Sequence, residues 1–136
     1  MSYPRSTHYL TALLRRELPH LRAWPAQHAL AWVQWHCNHG LALVVRNGWR
    51  IRSAVLVRRI KDRTEADEYY AHHEDGPVAY IDACVARDRG GMKPLFSLFY
   101  IVLGHACTHM AWARLKYANR ATLVPMRDAI RRLTYV

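Results

Sequence analysis

Acidic side chains are scarce in this chain. Ten Asp and Glu stand against twenty Lys and Arg, a formal net charge of +10. That imbalance favours acidic partners, whether nucleic acid, an anionic membrane or an acidic protein. Cysteine is scarce as well. Cys37, Cys84 and Cys107 are widely spaced and odd in number, which excludes a disulfide framework and a paired-cysteine metal knuckle. A reducing, cytoplasmic setting is the expectation. Residues 1–18 break every apolar run with a charge and lack the apolar core of a signal peptide. There is no internal repeat, no low-complexity tract, and no helix-turn-helix, zinc-finger or RNP pattern, so nothing beyond charge speaks for nucleic acid. Leu95–Ala113 runs for 19 residues without Asp, Glu, Lys or Arg. A membrane span needs about 20 predominantly apolar residues. Ser97, Gly104, His105, Thr108 and His109 dilute this run, so a buried helix followed by a separate element is expected and no membrane span.

What is present is globular. Half of the residues are apolar (51%) and 22% are charged, enough for one core, and residues 1–136 are read as a single domain. Ser6 or Thr7 is placed to cap a first helix that buries Leu10, Leu13 and Leu14 and closes at Pro19. His20 falls in a short connection. Pro25 suits the first position of a second helix, with Ala26, Leu30, Val33 and Cys37 on one face and Gly40 as its stop. Leu41–Val45 and Trp49–Ile60 read as a hairpin joined through Asn47-Gly48. Arg50, Arg52 and Arg58 share one face of its second arm with Ala54, Leu56 and Ile60. Residues 61–77 are polar and turn-rich, an excursion from the sheet. Val78–Val85 is apolar on both faces, as a central strand requires. Pro94 is expected to open an apolar helix, Met110–Tyr117 to form another strand, and Pro125 to open a last helix using Met126, Ala129, Ile130 and Leu133. The order α-α-β-β-β-α-β-α predicts an α+β fold. Helices flank a mostly antiparallel sheet that has one parallel step.

Val78–Phe96 carries the chemistry. Asp82 interrupts an otherwise apolar strand, and a dry aspartate costs several kcal/mol unless it is paired. It is either a functional carboxylate or the structural partner of a neighbouring arginine such as Arg50 or Arg52. The turn that follows contains Arg87, Arg89, Gly90, Gly91 and Lys93. It offers backbone N–H groups at a helix start, with cations around them, to a phosphate. The alternative for these cations is a solvated turn. His105, Cys107 and His109, and likewise the stretch Trp35–His39, supply two metal-type ligands on one face but no third, and no metal site is assigned.

This order resembles the Gcn5-related N-acetyltransferase fold without its usual first strand. The nearest relative is the family of toxin-activating lysine-acyltransferases, which fatty-acylate RTX protoxins. The resemblance rests on His20 before Trp24-Pro25, on Ala42-Leu43 through Asn47, and on Tyr80-Ile81-Asp82 followed by Gly91. It implies a cytoplasmic acyltransferase that takes an acyl group from acyl-carrier protein and passes it to a lysine of a protein substrate. No cofactor is tightly bound; the donor's phosphopantetheine would lie over Arg87–Lys93. It also implies a His20–Asp82 catalytic pair, with His20 as base or transient acyl acceptor and Asp82 orienting it. Backbone N–H groups of Ala83, Cys84 and Val85 would polarise the thioester carbonyl if the strand bulges. A missing first strand leaves a sheet edge open to a second copy, that is, to a homodimer. Two alternatives differ in donor or in class. A coenzyme A-dependent acetyltransferase would use acetyl-CoA, although Met92 occupies the last small position of the expected Arg-x-x-Gly-x-Gly/Ala loop. A basic nucleic-acid-binding module would use the hairpin arginines with Trp49 and Trp112.

Overall fold

Two faces of one sheet, each covered by helices, organise the chain. The computed structural model describes residues 3–68, 71–113 and 121–134. In chain order the elements are α1 (Arg5–Glu17), α2 (Pro19–Arg22), α3 (Ala26–Asn38), β1 (Ala42–Asn47), β2 (Arg50–Ile60), β3 (Val78–Ala86), α4 (Met92–Leu103), β4 (His109–Ala113), β5 (Ala121–Pro125) and α5 (Met126–Thr134). The strands lie in the order β1-β2-β3-β4-β5. All pairs are antiparallel except β3 and β4, which are parallel and joined across α4. This is the expected α+β architecture.

The central strands are apolar on both faces because both faces are buried. Val55, Val57, Ala79 and Met110 meet Leu95, Phe96 and Phe99 of α4 and Met126 and Ala129 of α5. On the other face Ile51, Ala54, Leu56, Ala83 and Val85 meet Leu10, Leu13 and Leu14 of α1, Leu21 of α2 and Val33 of α3. The uncharged run Leu95–Ala113 divides into α4 and β4, and no described helix is long and apolar enough to cross a membrane.

Several local readings are corrected. Helix α1 begins after Pro4, so Thr7 lies inside it, buried, and donates to Gln34 Oε1 at 2.6 Å. The connection holding His20 is itself a helical turn, α2. On α3 the buried positions are Ala29, Leu30, Val33 and His36, whereas Ala26 and Cys37 are exposed. The hairpin turn consists of Gly48 and Trp49, since Asn47 pairs with Arg50, and Gly48 takes the left-handed φ of 63° that the turn needs. Gly91 caps α4, which starts at Met92 rather than Pro94. Strand β5 had no counterpart among the expected elements, and Arg114–Tyr117 of the expected fourth strand lie outside the described residues.

Residues 61–77 are more than an excursion. A 3-10 turn at Arg63–Asp67 is capped by Asp62, and the segment returns along the end of β2, where His73 N–H bonds the Arg59 carbonyl at 2.8 Å. Gly76 makes that return possible. A Cβ there would stand 2.8 Å from both the Arg59 carbonyl carbon and the Ile60 carbonyl oxygen. At Gly90 the nearest atom to a Cβ is the mobile end of the Arg52 side chain. Gly76→Ala is therefore expected to cost about 1–3 kcal/mol through overpacking against fixed backbone. Gly90→Ala should stay within about 0.5 kcal/mol of wild type. Urea unfolding of the two variants checks the contrast.

Candidate functional site

Strand β3 bulges at its one carboxylate. Leu56 pairs with Ala83 and Val57 with Ile81, so Asp82 is an extra residue opposite a single step of β2. The bulge resets the alternation. Ala79 and Ile81 face α4 and so does Cys84, whereas Ala83 and Val85 join the core under α1–α3. Simple alternation would have put Cys84 with Val78 and Tyr80, and the extra residue is the reason it does not.

The Asp82 carboxylate is buried and fully engaged. Arg58 Nε donates to both of its oxygens, at 2.9 and 3.0 Å. His36 Nε2 lies 2.8 Å from Oδ2. Arg58 is only 6% exposed, and the excursion supplies its remaining acceptors: the carbonyls of Glu68 at 2.6 Å, Ala71 at 3.2 Å and Ala66 at 3.2 Å. Tyr80 presents its ring to the same guanidinium, 5.2 Å from the centroid. His36 is wholly buried, and its Nδ1 is 2.8 Å from the Trp32 carbonyl. The ring thus bridges the Trp32 carbonyl of α3 and the Asp82 carboxylate of β3. The pairing with Arg50 or Arg52 is corrected: β2 supplies Arg58, because Arg50 and Arg52 stand beyond the bulge, at the hairpin end. His36 had gone unremarked as a partner. Its signal was its place three residues after Val33 on the buried face of α3.

Beside the bulge the sheet parts. Among the described residues the parallel pairing of β3 and β4 ends at Ile81 and Trp112. A cleft of about 580 Å³ opens there, walled by Ile81, Cys84, Met92, Phe96, Trp112 and Leu133. Asp82 and Ala83 also border it, and Leu18 and exposed His20 border it from α2 and the residue before it. His20 and Asp82 thus share one cleft, but among the described residues no hydrogen bond joins them, since Asp82 is bonded to Arg58 and His36. Val85 turns to the opposite core. Burial pushes the Cys84 thiol up to about 11, so it is not a thiolate nucleophile near neutral pH.

The turn after β3 leans on β2. Arg87 N–H bonds the Arg52 carbonyl at 3.0 Å, Asp88 meets Arg52 at 3.3 Å, and the Ser53 hydroxyl donates to the Gly91 carbonyl at 2.8 Å. No side chain caps α4, so its first amides are free of a side-chain acceptor. Arg87, Gly90 and Lys93 are exposed at this end and Gly91 is buried, while the Arg89 side chain lies outside what the structure describes. Among the described residues no three His, Cys, Asp or Glu side chains come together as a metal site would require. No family model, no curated protein and no solved structure matches the chain.

Two expectations follow. Asp82→Ala leaves the buried Arg58 guanidinium without its counter-charge and should cost about 3–5 kcal/mol. Combined with His36→Ala it should cost less than the sum of the single variants, with a coupling of about 0.5–3 kcal/mol in urea unfolding. The second concerns acid. His72 Nδ1 accepts the Arg59 backbone N–H at 3.1 Å, which only an unprotonated nitrogen can do. Burial holds this imidazole below its ordinary range; His39, Arg59 and His73 add to the effect and Glu74 opposes it. A depressed imidazole contributes stability above its unfolded value of about 6.5 and loses it as pH falls through the folded value. Glu65, bonded to His73, is lowered as a carboxylate and titrates below this window. His72→Asn keeps an acceptor but cannot titrate, so between pH 7 and pH 5 it should lose less thermal stability than the wild type.

Proposed function

We propose that the protein is an acyltransferase that moves an acyl group from a carrier thioester to a lysine amine. The observation that carries this reading is the apolar cleft at the parting of β3 and β4, with an exposed imidazole at its mouth and a bulged strand along its wall. An acyl chain fits the lining of Ile81, Met92, Phe96, Trp112 and Leu133. The start of α4, which no side chain caps, with Arg87 and Lys93 near it in the chain, suits the phosphate of a phosphopantetheine arm. The resemblance of His20-to-Pro25 and Tyr80-to-Gly91 to toxin-activating lysine-acyltransferases supports the same assignment.

The chemistry needs one base. A lysine amine, with a reference pKa of about 10.4, must lose a proton before it attacks. His20 takes that proton. The amine nitrogen forms a bond to the thioester carbonyl carbon, the C–S bond breaks, and the departing thiolate receives the proton, leaving an amide and a free thiol. A backbone N–H group beside the bulge, at Ala83 or Cys84, would polarise the carbonyl oxygen. Asp82 acts as a positioning residue: bound to Arg58 and His36, it fixes the bulge and the cleft wall. A coenzyme A donor is the second reading, favoured by the same uncapped helix start.

Acyl-carrier protein loaded with chains of several lengths, mixed with a lysine-containing peptide, should yield acylated peptide by mass spectrometry. His20→Ala should lower that rate by about 10²–10⁴. Its stability should shift by no more than about 0.5 kcal/mol, because His20 is exposed. Acetylated peptide from acetyl-CoA, with none from any carrier, selects the second reading. Full activity of His20→Ala overturns the assignment of the base.

A further inference from the structure

A second hollow adjoins the cleft along two chain segments. It is a groove of about 490 Å³ between α1, the β1–β2 hairpin and the turn after β3. The chain passes from Tyr9 and Arg16 of α1 in the groove to Leu18 and His20, just beyond its end, in the cleft. Strand β3 runs from Ala86 in the cleft to Arg87 in the groove. The groove displays two aromatic side chains that folding leaves outside: Trp49 is 86% exposed and Tyr9 58%. Between them Arg50 and Arg87 are exposed, and their guanidinium groups have no hydrogen-bond or ion-pair partner among the described residues. Both also line an adjoining recess of about 200 Å³.

Exposed Trp, Tyr and Arg are the residues that anchor protein interfaces, and an unpaired guanidinium takes a carboxylate in a two-pronged bond. A nucleic-acid strand fits less well. Arg16 is held by Glu17 and Arg52 by Asp88, so the cations do not form the continuous track a phosphate backbone follows. We propose that this groove docks an acidic face of the protein that carries the acyl donor. Carboxylates bind Arg50 and Arg87, and an apolar side chain lies against Trp49 and Tyr9. The proposal rests on the acyl-transfer reading, and it gives the donor protein a seat across the rim of the cleft its cargo enters.

The test separates the two. Apo acyl-carrier protein, without its prosthetic arm, leaves the cleft out of the measurement; its affinity is read by titration calorimetry at low salt. The groove variant Trp49→Ala/Arg50→Glu is compared with Arg127→Glu, an equal charge change at an exposed position of α5. The groove variant should bind at least about tenfold more weakly and Arg127→Glu within about twofold of wild type. Equal losses in both variants, or none in the groove variant, overturn the docking site. So does single-stranded oligonucleotide binding that is tighter than carrier binding and abolished by the groove variant. Wild-type transfer from a small acyl thioester to the lysine peptide judges the acyl-transfer reading alone. Its failure beside groove-dependent carrier binding removes that reading and keeps the docking site.

Discussion

A carboxylate held dry between a guanidinium and an imidazole is the constraint on which this structure turns. An ionised aspartate away from water costs several kcal/mol unless its charge and its lone pairs are answered. Asp82 is answered by Arg58 from the neighbouring strand and by His36 from α3. Those two side chains are in turn bonded to carbonyls of Trp32, Ala66, Glu68 and Ala71. One acidic residue thereby ties α3, β2, β3 and the polar segment before β3 into a single arrangement. An apolar replacement would not do this, because Ala66, Glu68 and Ala71 point carbonyls inward that need Arg58.

The bulge follows from the same constraint. Regular alternation puts successive side chains on opposite faces. With an extra residue, Asp82 reaches the α1–α3 side while Ala83, next in sequence, stays on that side as well, and Cys84 returns to the cleft. A bulge increases local twist and interrupts pairing. Here it coincides with the point at which the described pairing of β3 and β4 stops. The cleft thus lies beside the bulge that accommodates Asp82.

Much of the frame was legible in the sequence, and the misses have physical causes. The hairpin, the central strand, the apolar helix and the parallel step all follow from local pattern and turn chemistry. Strand β5 was not legible: Ala121–Pro125 is five residues long and ends in a proline that reads as a helix start. Asp82 was marked as exceptional by its apolar neighbours, yet its partners were not. Arg58 and His36 lie 24 and 46 residues away, and only the fold brings them to it. Of three arginines on one strand face, sequence pattern has no means to choose; position relative to the bulge chooses Arg58. For His36 the trace was a polar residue at helical spacing among buried ones.

The scarcity of acid has a structural reading too. The carboxylates whose partners are seen are mostly committed within the fold. Asp82 is bonded to Arg58 and His36, Glu65 to His73, Asp88 to Arg52, Glu17 to Arg16, and Asp62 caps the 3-10 turn. A surplus of cations with the acids so occupied leaves guanidinium groups unanswered at the surface. Arg50 and Arg87 are two such groups, and they stand together at the rim where α1, the hairpin and the end of β3 converge. Asp88 borders the same recess, and its carboxylate is engaged by Arg52 instead.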